Sequence, residues 1–331
     1  MKTLIIAEAG VNHNGKLSQA KKLIKEAKNA GADVVKFQYF KAENLAISDL
    51  KLAPYQKINS KFKNQFEMLK NLELSERDFI FLSKYSKKLG IKFCLSFFDD
   101  LDIEITKKCY IDYIKIPSGE INNIPLIIKA ALLNKNLIFS TGMSNYKEIK
   151  QTIKIMLKKG LERKKISILQ CTSSYPAPYK DLNLKVMDEF KKKFKLNVGF
   201  SDHSLGIEAS IAAVALGAKV IEKHFTLDKK LSGPDHKASL NPNELKKMIT
   251  SIRNIEKSMG FEKKIMFSEK KNFKLVRKKI VAKKSIKKGD IFHLYNLAIK
   301  RTNSSTGLNP KEIYRILGKK SLKNYNKDTI I

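Results

Sequence analysis

The sequence predicts a (β/α)8 TIM barrel followed by a small β-rich C-terminal domain. Three observations predict it. Eight short apolar runs, most of them closed by a polar or glycine-bearing turn, alternate with segments of helical period. The turn after the first run is EAGVNHNG, not the Gly-rich phosphate loop that an open doubly wound sheet usually carries there. Past a charged stretch at 261–275, only short strand-like runs remain. Strict βα alternation repeated eight times is the signature of a closed barrel.

The strands follow in order as TLIIAEAG, DVVKFQ, KFCLSFF, YIKIPS, LIFSTG, ISILQCT, LNVGFSD and KVIEKHF. Between them lie LSQAKKLIKEAKNAG, SERDFIFLSKYSKKLG, YKEIKQTIKIMLKKG and LKVMDEFKKKF, each with apolar residues recurring at three and four. The segment from Lys41 to Leu74 is longer than a normal connection and is expected to pass over the barrel mouth. NPNELKKMITSIRNIEKSMG closes the barrel, giving a barrel domain at 1–260, a linker at 261–275 and a small module at 276–331. The module is marginal as an independent fold and is expected to pack on something else.

Active sites of such barrels lie at the carboxyl ends of the strands, where alternate residues face inward. That rule selects Glu8, Lys36, Gln38, Ser96, Phe98, Lys115 and Ser118, with Glu120 just beyond. It also selects Ser140, Thr172 with Ser173, Ser201 with His203, and Glu222 with His224, and places Asp235 in the last loop. His203 and His224 read as the ends of consecutive parallel strands, where two neutral imidazoles can share one divalent metal. Lys36 and Lys115 admit three readings: a Schiff base, phosphate binding, or pairing with Glu8 and Glu120. The serines around them favour phosphate. His236 reads as a neighbour of the site, His13 as a polar loop residue near it, and His293 as incidental. Cys94 and Cys171 read as core, with no base beside either.

Of 331 residues, 66 are Lys or Arg and 32 Asp or Glu, for a net charge of +34. Lysine is spread over nearly every helix and no nucleic-acid motif accompanies it, so a general lysine bias is preferred to nucleic-acid binding. A positive field still favours capture of small anions. No apolar run is long enough to span a bilayer and no leader precedes the first strand, so neither membrane nor secretion is expected. Three cysteines without CxxC spacing fit a reduced, cytoplasmic protein.

The runs IIAEAGVNHNG, GADVVKFQYFKAENL, KIPSGEINNIPLI, STGM, YPAP, VGFSDHSLGIEASIAAVALGA and IEKHFTLDKKLSGPDHKASL resemble the sialic acid synthase family over essentially the whole chain. The resemblance implies condensation of phosphoenolpyruvate with an N-acylated hexosamine, N-acetylmannosamine first, or 2,4-diacetamido-2,4,6-trideoxymannose as in legionaminic acid synthases. It implies a Mn2+ or Mg2+ ion on His203 and His224. Lys36, Ser96, Lys115, Ser118, Ser140, Ser173 and Ser201 match the phosphoenolpyruvate set. Gln38, Glu120, Tyr175 and Asp235 match residues near the sugar, and Phe98 is placed with them by its inward position. Glu8 and Glu222 are the candidate proton handlers. The closing module resembles the family's antifreeze-like (SAF) domain, implying a domain-swapped homodimer in which Arg301 reaches the N-acyl group.

The chain departs from the family pattern in three places. LSFFD stands for STPFD, QCTSSYP for HCTxxYP, and RTNSSTG for a KRPG-type turn. None removes a metal histidine or a phosphate lysine.

Overall fold

The computed structural model describes residues 2–52 and 62–331. Eight parallel strands close into a barrel in sequence order: β1 (Leu4–Gly10), β2 (Val34–Tyr39), β3 (Lys92–Phe97), β4 (Tyr113–Ile116), β5 (Asn136–Ser140), β6 (Ile166–Cys171), β7 (Asn197–Asp202) and β8 (Val220–His224). The barrel predicted from the sequence is the fold observed. The alternation is less strict than expected at one step, because β3 and β4 are joined by a six-residue 3-10 helix, Asp102–Lys107, and no α-helix.

Side-chain period sorts the wall into two layers. Ile6, Val34, Cys94, Ile138, Leu169 and Val220 fill the inside of the barrel as one buried apolar cluster. Residues of opposite parity, such as Ile5, Val35, Phe37, Phe93, Leu95 and Phe200, point outward into the main core under the helices. Truncating such a buried Leu or Ile to Ala typically costs about 2–5 kcal/mol.

The helices that cover this core carry their own start and stop signals. α1 (Leu17–Ala30) ends on Gly31 in the left-handed conformation. The next two, short α2 (Ala42–Leu45) and α3 (Gln65–Leu72), belong to the excursion that leads from β2 toward β3. Of that excursion, residues 53–61 lie outside the described residues. α4 (Glu76–Leu89) opens on a reciprocal Ser75–Asp78 capping box and closes on Gly90. α5 (Ile124–Leu132), α6 (Tyr146–Lys158), α7 (Val186–Phe194) and α8 (Glu208–Ala215) follow β4 to β7. α9 (Pro242–Ser258) is capped by Asn241 and Glu244, with proline at its first position.

The chain divides into two compact units, Met1–Met259 and Gly260–Ile331. The second holds α10 (Lys270–Val276), which takes up the end of the stretch read as a linker and the first residue of the module, then an antiparallel pair, β9 (Lys278–Ala282) with β10 (Leu297–Arg301). Ile280, Ala282, Ile286, Phe292 and Leu297 form its small core. Among the described residues no helix is long and apolar enough to cross a membrane.

Candidate active site

The carboxyl ends of the strands open into a cavity of about 560 Å³, within the range of small-molecule sites. Of the residues selected from the sequence, Glu8, Lys36, Gln38, Ser96, Phe98, Lys115, Ser118, Ser140, Ser173, Tyr175, Ser201, His203, Glu222, His224 and Asp235 line it. Glu120 does not; it sits in the 3-10 turn after β4 and accepts a hydrogen bond from Asn123. Arg301 lies exposed at the end of β10 in the second unit. Thr172 turns away as well, its hydroxyl donating to the Asp181 carbonyl at 2.9 Å.

Buried charge is concentrated at the bottom of the cavity. Lys115 Nζ donates to both oxygens of Glu222, at 2.6 and 2.7 Å, and Ser201 Oγ donates to Glu222 at 2.9 Å. Lys36 Nζ lies 2.9 Å from Glu8 and 3.6 Å from Glu222, and donates to Ser96 Oγ at 2.9 Å. So the pairing of Lys36 with Glu8 is present, whereas the expected partner of Lys115, Glu120, gives way to Glu222 on the far strand. The barrel is narrow enough for a lysine of β4 to reach a carboxylate of β8 across it.

These contacts set the protonation states. Burial opposes ionisation of Glu222, but the two ammonium groups prevail and hold its pKa well below the carboxylate range. Glu8 goes the other way: burial, with Glu222 nearby, outweighs Lys36 and raises its pKa. Lys36 is likewise opposed by burial, yet Glu222 and Glu8 raise its pKa further. A lysine held protonated is ill suited to attack a carbonyl, which counts against a Schiff base there.

Backbone geometry at two glycines shapes the rim. The β1–β2 register slips between Glu8 and Gly10, where Gly10 has a φ of +51°. This bulge turns β1 at its catalytic end, beside Gln38, which donates to Glu8 at 3.2 Å. At Gly142 a Cβ would fall 2.2 Å from Ser173 Oγ and 2.9 Å from Ser118 Oγ. Only glycine lets these two hydroxyls crowd one spot, where Ser118 Oγ also accepts from the Gly142 amide at 3.0 Å. Ser140 Oγ is buried there without a hydrogen-bond partner.

His203 and His224 face each other with ring centroids 5.5 Å apart. His224 ends β8, but His203 is the first residue beyond β7. His203 Nδ1 is 2.9 Å from the Thr172 carbonyl, which fixes the proton on Nδ1 and leaves Nε2 with a lone pair. His224 Nδ1 is buried without a hydrogen-bond partner, 3.8 Å from Asp235. Burial, then the neighbouring His203 and Lys36, hold the His224 pKa far below normal, so the ring is neutral. Burial together with Glu8 lifts Asp235 to about 6. A neutral His224 with an unsatisfied nitrogen, facing the His203 ring, fits a divalent cation. Among the described residues, no group of three or more His, Cys, Asp or Glu forms a metal cluster.

Other placements differ from expectation. Cys171 is no isolated core thiol: it lines the cavity, its sulfur 3.7 Å from the Nδ1 of the His203 ring. Burial opposes the thiolate, but His203 draws the Cys171 pKa down to about 7, and burial likewise opposes the charged His203, which Cys171 raises. His13 is fully buried against Phe37, off the cavity. His236 is buried too, bonded to Thr226 at 2.6 Å and Asn14 at 3.2 Å. One wall of the cavity was not read from the sequence at all: Val11, Met68, Leu69 and Leu72 join Phe98 as a continuous apolar patch built mainly by α3. Its signal was the long excursion after β2, whose length does not say which residues face inward.

The chain matches a family model described as the NeuB family over residues 23–264. It is 51% identical to the N,N'-diacetyllegionaminic acid synthase of Campylobacter jejuni, covering 100% of this chain and 99% of that protein. It is 37% identical to the human N-acetylneuraminate-9-phosphate synthase, over 99% of this chain and 90% of that one. The crystal structure of the sialic acid synthetase of Leptospira borgpetersenii in complex with citrate superposes with a TM-score of 0.72. That match has 34% identity and covers 82% of this chain and 90% of that one.

Proposed function

Because the chain belongs to the NeuB family of sugar acid synthases, we propose that it condenses phosphoenolpyruvate with an N-acylated hexosamine and releases phosphate. The observation that carries this reading is one cavity holding two buried lysines, a ring of serines and a facing histidine pair. Lys36, Lys115, Ser96, Ser118, Ser140, Ser173 and Ser201 would hold the phosphate and carboxylate of phosphoenolpyruvate, as positioned cations and hydroxyls hold oxyanions. His203 and His224 would hold a divalent ion, Mn2+ or Mg2+, whose Lewis acidity serves the acceptor's aldehyde oxygen.

Around that pair the protein's own groups do the rest. Carbon-3 of phosphoenolpyruvate bonds to the aldehyde carbon, whose oxygen takes a proton. Opening of the carbon–carbon double bond leaves carbon-2 cationic; a water bonds there and loses a proton. The bond between carbon-2 and the bridging oxygen then breaks, phosphate leaves with that oxygen, and the new hydroxyl loses its proton to become the keto group. Glu8, whose carboxyl keeps its proton above the ordinary range, is placed to give a proton. Glu222, held anionic, is placed to orient the lysines and Ser201. Gln38, Tyr175 and Asp235 border the acceptor's space.

For the acceptor we favour 2,4-diacetamido-2,4,6-trideoxymannose over the N-acetylmannosamine that the sequence reading placed first. The apolar wall of Val11, Met68, Leu69, Leu72 and Phe98 suits a sugar with a methyl at carbon-6 and an acetamido group at carbon-4. Hydroxyls in those places would lose their hydrogen bonds on entering. Phosphate release with each sugar, with and without Mn2+, tests this. A kcat/KM for the trideoxy sugar about 100-fold above that for N-acetylmannosamine is expected; the reverse order would select the sialic branch. On the family resemblance, the SAF-like unit and Arg301 are proposed to cap the acceptor within a homodimer, so Arg301→Ala should raise the acceptor KM and spare that of phosphoenolpyruvate.

A further inference from the structure

Behind the histidine pair, on the outward face of the same two strands, lies a second buried ion pair. Asp202 and Lys223 are register partners between β7 and β8, 0% and 1% exposed, with Lys223 Nζ 3.0 Å from Asp202 Oδ2. Every lone-pair direction of the carboxylate is used. Ser204 donates to Oδ1 from its amide at 2.9 Å and its hydroxyl at 2.6 Å, and Ser210 of α8 donates to Oδ2 at 2.7 Å. Lys223 Nζ also donates to the Ser204 carbonyl at 2.5 Å. Asp202 and Ser204 flank His203, and Lys223 precedes His224.

We propose that Lys223 and Asp202 are positioning residues that fix His203 against His224, and so set the affinity of the site for its divalent ion. The inference rests on the metal reading given above. Three observations support it. The pair lies on the outward face of the two strands and neither residue lines the cavity, so it has no substrate to serve. A buried lysine–carboxylate pair adds little net stability over an apolar pair of the same shape, which leaves geometry as its use. Its hydrogen bonds end on the two residues that bracket His203, whose carbonyl is meanwhile held by the Ala177 amide at 2.9 Å. Groups behind a metal ligand that orient it commonly change affinity by 10- to 100-fold when lost.

The test is Mn2+ binding to the full-length protein, read by the electron paramagnetic resonance signal of free Mn2+, with no turnover involved. Lys223→Met and the milder Ser210→Ala are compared with wild type, with His203→Ala, and with Leu245→Ala, a core truncation in α9. Lys223→Met is expected to weaken Mn2+ binding 10- to 100-fold and Ser210→Ala several-fold, while phosphoenolpyruvate binding stays within twofold. Leu245→Ala should lose thermal stability and keep wild-type Mn2+ affinity, which separates positioning from general loosening. Wild-type affinity in both clamp variants, with His203→Ala impaired, would overturn the positioning role alone. Wild type binding no Mn2+, or His203→Ala binding it normally, would overturn the metal reading and this inference with it. If Lys223→Met does not fold, Ser210→Ala decides.

Discussion

Lys115 and Lys223 are both interior lysines paired to carboxylates of the β7–β8 region, one reaching into the barrel and one lying behind its wall. Their surroundings differ in one respect. The carboxylate facing Lys223 has both oxygens filled by serine and lysine donors that are themselves enclosed. The carboxylate facing Lys115 is held by Lys115, Ser201 and Lys36, all of which line the cavity. The closed pair can only hold geometry. The open pair has partners that border the cavity, within reach of whatever enters it.

The comparison can be broken most directly at Lys115. Lys115→Met should lower phosphate release by about 10³-fold or more, as loss of an oriented cation at a reacting oxyanion does. A folded Lys115→Met protein, judged by circular dichroism, that keeps wild-type turnover would erase the distinction. A titratable group buried against an aromatic ring sharpens it next. His13, deep against Phe37, has its pKa lowered to about 4 by burial, against about 6.5 in an unfolded chain. The unfolded chain therefore takes up a proton that the folded chain refuses. Stability from this group is complete above about pH 6.5 and is lost as pH falls toward 4, roughly 3 kcal/mol at full extent. Urea unfolding at pH 7 and pH 4.5 should show this loss in wild type and a flatter profile in His13→Gln.

A smaller effect is expected where shape alone is at stake. Gly142→Ala places a methyl 2.2 Å from the Ser173 hydroxyl, so the two serines must part, and the phosphoenolpyruvate KM should rise about tenfold with little change in kcat. The smallest lies at the surface. Lys193 and Glu189 form an exposed pair one helical turn apart in α7, and Lys193→Ala should leave the thermal midpoint where it was, since solvent screens such pairs. A clear loss there would mean that exposure does not separate the useful pairs from the idle ones.

Much of this was legible in the sequence, because strand parity is a local property. Glu222 and His224, or Lys36 and Gln38, fall on one face by counting alone, and the strand ends place that face at the mouth. What parity does not carry is which residues meet across the barrel. Lys115 and Glu222 are 107 positions apart, and Cys171 and His203 are 32 apart, so the first was paired with a nearer glutamate and the second was read as inert. The stretch DIEITK was not resolved as a 3-10 connection because six residues are too few to show a period. The α3 wall was hidden for a related reason: a short helix in a long excursion shows its apolar face only once its docking is known.

The Glu222 contacts have one more consequence. With its carboxylate seated on both ammonium groups, the resting barrel already contains an anion of its own. If the two lysines bind the substrate anion as proposed, its uptake is a displacement, as on an ion-exchange resin, and not the filling of a vacant positive hole. Affinity is the difference between two occupants of one seat. On the proposed reading, Glu222 would keep both lysines aligned between turnovers and would take back the place that a departing phosphate gives up.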